Sequence, residues 1–390
     1  MPRPGSSSPF DSAVFAMPGA VYSPFADRIE GHPGPLVPLH VGDTWMEPFE
    51  GAQMQSLRSD AYPGMHRYGP TQGIPPLVDA IVEKVRRVNG LAAERENVLV
   101  GAGATSILAN VMGSIASPGE EVLILAPFWP LVRGIVQEFR ATPVEVPFFD
   151  RVTSLDEAVA AVRACISERS VALYVSTPSN PTGRILPSDW LVALGELARE
   201  FDLWLISDEV YEAYVYEGEH FSIGSVVPER TLSVFSFSKT YGMAGNRVGY
   251  LVAPAEVVHE AHKVGTHTAY HAPVAGQLSA LRALEGGDAW VSNAHALYRD
   301  AGRSAAAALG LPAPQGSTFL FCDVSEHLDD RGLLGFLEDC FEDGVLVAPG
   351  ASAGCDYANW VRLCYTAAPP DDVRFAVGKL AARIGAPGGV

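Results

Sequence analysis

The chain has 390 residues, of which 48% are hydrophobic and 18% charged; this suits a folded protein of one large and one smaller domain and argues against disorder. Its formal net charge of −18 disfavours nucleic acid and anionic membranes as partners. No apolar stretch reaches the roughly 18 residues of a membrane span, and Cys165, Cys322, Cys340, Cys355 and Cys364 form no CxxC pair, which speaks for reduced cysteines in the cytoplasm.

The Pro-, Gly- and Ser-rich start lacks the charged and apolar blocks of a signal peptide, and residues 1–12 are expected to form a mobile tail. Pro18, Pro24, Pro33, Pro35 and Pro38 keep residues 13–45 irregular, up to a short extended piece at Leu39–Asp43 that contains Gly42. Arg67-Tyr68-Gly69-Pro70-Thr71-Gln72-Gly73 leads into a helix over 75–88, where Leu77, Ile81 and Val85 recur at helical spacing. A strand at 97–100 runs into Gly101-Ala102-Gly103-Ala104-Thr105-Ser106, which opens a helix reaching about residue 115. A glycine-rich turn at a helix start presents N–H groups to a phosphate. Ser106 occupies the third glycine of a GxGxxG fingerprint, and no acidic residue is placed for a ribose, so Gly103, Ala104 and Thr105 read as a monophosphate cradle.

A strand at 121–126 ends at Pro127-Phe128-Trp129-Pro130. Strands at 143–147, 171–176 and 203–207 then alternate with helices at 155–167 and 188–200. This alternation predicts a mostly parallel, helix-covered sheet, whose ligands gather at the carboxyl ends of the strands. Trp129, the Ser179-Asn180-Pro181-Thr182-Gly183 loop and Ser207-Asp208-Glu209-Val210-Tyr211 all fall at such ends. Asp208 follows an apolar strand and needs a partner, which a protonated pyridine nitrogen would supply. Glu209 is expected only to cap a helix.

A strand at 231–235 leads into Ser236-Phe237-Ser238-Lys239, with Arg247 eight positions beyond the lysine and a strand at 248–252. The hydroxyls and the guanidinium suit a phosphate. Lys239, with no acid beside it, suits a Schiff base provided its pKa is lowered. Together they suggest a phosphorylated aldehyde held at two points. The range 255–284 contains a long helical stretch. Within it His267 and His271 have metal-binding spacing but no third ligand, so no metal is assigned and surface or interface roles are expected. From about residue 290 a small α+β domain follows, with a strand at 318–324, a helix at 333–342, an extended piece at 345–350, a strand at 360–365 and a final helix at 371–384. Arg362 interrupts an apolar strand; a buried arginine needs an anion, and its planar fork suits a carboxylate.

The lysine run, with Tyr68-Gly69-Pro70 to Gly73, the Asn180 loop and Asp208 to Tyr211, resembles the class I/II aminotransferases, fold-type I enzymes that use pyridoxal 5′-phosphate. The resemblance spans nearly the whole chain. It implies a three-layer α/β/α large domain with a mostly parallel sheet, plus a smaller α+β domain. The expected divisions are an N-terminal tail and arm packing with the small domain (1–45), the large cofactor domain (46–289) and the small domain (290–390). By the same resemblance Lys239 is the catalytic residue that forms the internal aldimine. Gly103, Ala104, Thr105, Ser236, Ser238 and Arg247 would surround the phosphate, and Trp129 would stack on the pyridine ring. Asn180 and Tyr211 would reach the phenolic oxygen, and Asp208 the ring nitrogen. Gly42, Asn180 and Arg362 would meet the substrate, with Arg362 on its α-carboxylate. Tyr68 and the loop around Tyr270 would cross to the neighbouring subunit, which implies a homodimer with shared sites and places Tyr68 in the partner's site.

The implied reaction moves an amino group between an L-amino acid and a 2-oxo acid. A β-lyase, cyclase or eliminating synthase on the same fold is the alternative. Two departures, Gly316-Ser317-Thr318-Phe319 in place of the frequent Gly-x-Phe-Tyr and Ala353 in place of a common Phe, leave the substrate side chain open. Arg133 and Arg140 could meet a second carboxylate, or lie on the surface.

Overall fold

The computed structural model describes residues 11–389 except 18, 20 and 21. The expected tail therefore lies outside the described residues apart from Asp11 and Ser12. There the Asp11 carboxylate accepts from the N–H groups of Ala13 and Val14 and caps α1 (Ser12–Phe15). In chain order follow α2 (Pro75–Asn89), β1 (Val98–Gly101), α3 (Gly103–Ile115), β2 (Glu121–Ala126), α4 (Leu131–Glu138), β3 (Thr142–Pro147) and α5 (Leu155–Cys165). Next come β4 (Ser170–Ser176), α6 (Ser188–Glu200), β5 (Trp204–Asp208), β6 (Thr231–Ser236), α7 (Phe237–Thr240), β7 (Gly249–Val252), α8 (Ala255–Thr268) and α9 (Val274–Gly286). The chain ends with α10 (Asp288–Leu309), β8 (Phe319–Asp323), α11 (Gly332–Glu342), β9 (Ala348–Pro349), β10 (Trp360–Cys364) and α12 (Pro370–Arg383).

The seven-stranded sheet has the order β1-β7-β6-β5-β4-β2-β3. Its pairs from β6 to β3 are parallel, and β7 runs antiparallel to both neighbours. Apart from the edge strand β3, these strands are buried and largely apolar because helices cover both faces. On one face α3, α4 and α8 pack over Leu99, Ile124, Ile206 and Leu251. On the other, α5 and α6 cover Leu123, Leu173 and Leu205, while α2 and α9 cover Val98, Val100 and Phe235. This is the expected three-layer architecture. A second, antiparallel sheet, β8-β10-β9, has its own core with α11 and α12. The N-terminal segment joins that core through a parallel bridge between Val37 and Val345, and Leu39 accepts a hydrogen bond from the Cys364 N–H.

The structure refines three stretches. The helical stretch 255–284 is two helices, broken where Tyr270 adopts a left-handed φ of 66° and Pro273 starts α9. The extended piece at 345–350 narrows to the two-residue β9, with Val345 bridging the arm instead. The change of character read at about residue 290 falls near the start of α10.

Candidate active site

The carboxyl ends of β4, β5 and β6 lie side by side. Ser176 pairs with Asp208 across β4 and β5, and Ser236 pairs with Gly249, which in turn faces Gly101 of β1. A cavity of about 240 Å³ opens above these ends. Gly42, Ala104, Thr105, Trp129, Asn180 and Asp208 line it, together with Tyr211, Ser236, Ser238, Lys239, Arg247 and Arg362. Every residue singled out for the chain's own site is thus at its wall except Gly103, which lies one step behind. Gly103 has a φ of 84°, and a Cβ there would collide with the Arg247 guanidinium, so only glycine lets the turn and the arginine approach. Arg247 donates to the carbonyls of Ala244 and Ala102, at 2.9 and 3.2 Å, which holds it over the start of α3. Ser236 caps α7 by accepting from the Ser238 N–H at 3.1 Å.

Lys239 is half-buried and donates from Nζ to the Gly42 carbonyl. Burial lowers its pKa. Arg362 and Arg247 push the same way, against Asp43 and Cys364. Burial is therefore the main cause, and Arg247 contributes less. Gly42 is tight for a second reason: a Cβ would lie 2.6 Å from the Phe319 ring.

Asp208 is buried at the end of β5. Burial raises its pKa to about 6, opposed by the hydrogen bond from Tyr174 and the Val210 N–H. Arg362 is also buried, and burial lowers its pKa. Its Nη1 donates to Asn180 Oδ1 at 3.1 Å and its Nη2 to the His40 carbonyl at 2.8 Å, while Nε has no partner among the described residues. The guanidinium lies 4.5 Å from the centre of the Phe319 ring and 5.5 Å from that of Tyr22. Tyr211 packs edge-on against Phe319, and burial holds its phenol well above the ordinary range.

Glu209 is not a helix cap, because turns rather than a helix follow β5. It is fully buried, with Oε2 accepting from Ser222 at 2.5 Å and lying 2.8 Å from His220 Nε2. Burial alone would raise its pKa; His220 and Ser222 reverse the direction. Tyr68 is outside the cavity and 85% exposed, with its ring 5.1 Å from Tyr270 and 5.9 Å from His271. His271 Nδ1 is 2.7 Å from the Ala272 carbonyl, and His267 Nδ1 is 2.8 Å from that of Lys263. Arg133 pairs with Glu145 and Arg140 with Asp11, so neither reaches the cavity.

Sequence reasoning missed Tyr22, Tyr174 and Ser176. Tyr22 enters from the irregular arm, which carries no local signal. Tyr174 and Ser176 were legible as polar groups in a buried strand, a pattern that calls for a partner.

The donor set fits pyridoxal phosphate. A glycine turn at a helix start, three hydroxyls and an arginine converge at one end. A buried carboxylate lies at the end of β5, a half-buried amine lines the same cavity, and Ser176 Oγ and Arg362 Nε are buried without partners among the described residues.

Residues 36–380 match the profile of the aminotransferase class I and II family. Aspartate/prephenate aminotransferase of Thermus thermophilus is 36% identical over 369 residues, covering 90% of this chain and 91% of that protein. The solved aspartate aminotransferase from Thermus thermophilus with maleate superposes with a TM-score of 0.86 at 33% identity, over 96% of this chain and 99% of that one. N-succinyldiaminopimelate aminotransferase from Mycobacterium tuberculosis gives 0.85 at 26% identity, over 96% and 100%. The chain belongs to the class I and II aminotransferases. It is a pyridoxal-phosphate-dependent enzyme that transfers an amino group between an amino acid and a 2-oxo acid.

Proposed function

We propose that Lys239, Asp208 and Arg362 divide the work of transamination. The observation that carries this reading is their convergence, from α7 just after β6, from the end of β5 and from β10, on one cavity. The N–H groups at the start of α3, the Thr105, Ser236 and Ser238 hydroxyls and Arg247 bind the cofactor phosphate. Trp129 would lie against the ring, Asn180 and Tyr211 would reach its phenolic oxygen, and Asp208 would take its ring nitrogen. When bound, pyridoxal phosphate supplies an aldehyde for the amine and a ring that accepts the electron pair left on the α-carbon. Arg362 binds the substrate α-carboxylate with the part of its fork that Asn180 and His40 leave free, beside the Gly42 backbone. Lys239, its pKa lowered by burial, takes the α-proton and returns it. Asp208 and Lys239 then belong to the large unit (46–289) and Arg362 to the small one (290–390). Unpaired cysteines among the described residues support a cytoplasmic location.

The test is an amino-donor screen read through the cofactor's visible absorbance. It starts with aspartate and with prephenate as acceptor, the compounds in the Thermus relative's name. Amine transfer without release of ammonia supports the reading; ammonia and pyruvate instead would point to elimination. Arg362→Lys keeps the charge but loses the fork, and the KM of every amino donor is expected to rise about 10- to 100-fold, with a smaller effect on kcat. Steady-state kinetics check this, and an unchanged KM removes Arg362 from the carboxylate.

The active unit in this reading is a homodimer, with Tyr68 completing the partner's phosphate site. The exposed Tyr68–Tyr270–His271 cluster supports it. Cofactor affinity should fall on dilution. Mixing Lys239→Ala with a variant disabled at Tyr68 and at a second interface position should restore a statistical fraction of wild-type activity. Shown subunit exchange with no recovery, or a fully active monomer, refutes shared sites.

A further inference from the structure

Asp208 does not stand alone at the end of β5. In the β4–β5 register Tyr174 lies opposite Ile206 and Ser176 opposite Asp208. Side chains two apart in a strand share a face, so Tyr174 and Asp208 point into the same layer, under α3 and α4. That layer is otherwise apolar around Tyr174, with Ile124, Phe128, Ile206 and Leu232 in the same cluster. Tyr174 is 1% exposed and Asp208 3%. The Tyr174 hydroxyl donates to Asp208 Oδ2, while Oδ1 accepts from the Val210 N–H at 3.3 Å. Asp208 and Ser176 line the cavity; Tyr174 stands behind them.

A phenylalanine would fill this position without bringing a hydroxyl into an apolar layer, where an unpaired polar group costs a few kcal/mol. The hydroxyl is placed where it has one evident use. We propose that Tyr174 is a positioning residue for Asp208, fixing the carboxylate at the cavity floor and keeping it ionised so that the cofactor's ring nitrogen stays protonated. This rests on the assignment of Asp208 to that nitrogen.

The physics is a contest at one carboxyl. Burial favours the neutral acid, and the negative charge of Glu209 adds to this, moderated by its pairing with His220. The Tyr174 hydrogen bond is the largest influence favouring the ion. Tyr211 is the other titratable group near the pair, and its buried phenol stays neutral across the working range.

The experiment uses the full-length protein in two states. In cofactor-free protein, infrared difference titration follows the Asp208 carboxyl, identified by its loss in Asp208→Asn. Tyr174→Phe should move its midpoint to higher pH, by about a tenfold change in proton affinity. Cofactor dissociation constants across pH should weaken over the same shifted window. Replacing Tyr174 with a ring-fluorinated tyrosine, nearly isosteric and a stronger donor, should move the midpoint the other way. This second variant keeps the test decisive should Tyr174→Phe fold poorly. A midpoint unmoved by fluorination overturns the proposal. A midpoint that moves while the cofactor's pH profile stays fixed leaves the Tyr174–Asp208 coupling intact and removes Asp208 from the ring nitrogen, which overturns the proposal at the assignment it rests on.

Discussion

Borohydride reduction of the cofactor-loaded protein is expected to fix one pyridoxyl mass, on Lys239. The chain's lysines are Lys84, Lys239, Lys263 and Lys379. Lys84 is paired with Glu212 and bonded to Asn89, Lys263 is paired with Glu260, and Lys379 lies over the Phe375 ring. Only Lys239 lines the cavity, hydrogen-bonded to a neutral carbonyl, and burial outweighs the pull of Asp43 on its amine. A buried amine without a carboxylate partner loses its proton more readily, which is the state a Schiff base and a general base both require. Lys239→Ala should therefore cost at least about 10⁴-fold in kcat, combining the loss of proton transfer with that of the covalent link. For the wild type, activity should decline as pH falls and the lysine regains its proton. Peptide mapping that finds the label on Lys263 or another lysine, or a Lys239→Ala enzyme of near-normal rate, sinks the assignment.

The sheet was legible in the sequence because its strands are short apolar runs between helical periods, and only a helix-covered parallel sheet makes such runs. Most strand and helix limits fall within a residue or two of expectation; α6 spans 188–200 as read. The motifs at the strand ends were legible for a related reason. Asn180, Asp208 and Lys239 each follow a buried strand, and polar groups there face the crevice. What failed depended on contacts distant in sequence. Glu209 looked like a cap because its true partners, His220 and Ser222, come from a loop eleven and thirteen residues on. The exact break at Tyr270 was signalled locally only by Pro273. Tyr22 reaches the cavity from an arm whose course is set by the small sheet, not by its own composition.

Replacing Asp208 with asparagine should have two opposite effects. On the assignment proposed above, in the loaded enzyme it removes the charge that would keep the ring nitrogen protonated while preserving the shape of the side chain. The α-proton step, followed in a single turnover, is expected to slow by about 10²-fold or more, and the cofactor to bind more weakly. In the cofactor-free protein the same change should stabilise the fold. Burial raises the Asp208 pKa from its ordinary 3.8 to about 6. Between these two values the folded chain keeps a proton that the unfolded chain has released, so wild-type stability falls as pH rises through this window. The loss levels off above about pH 6, where both states are ionised, at about 3 kcal/mol. Asparagine carries no charge to bury and escapes this loss. Denaturant unfolding of the two cofactor-free proteins should give a stability difference in favour of Asp208→Asn that grows from pH 4 to pH 6 and is then constant. Adding cofactor should reverse the order, because only the wild-type carboxylate gains a cationic partner. A difference that does not vary with pH would show that Asp208 titrates normally. A near-normal single turnover would show that its charge does not serve the reaction.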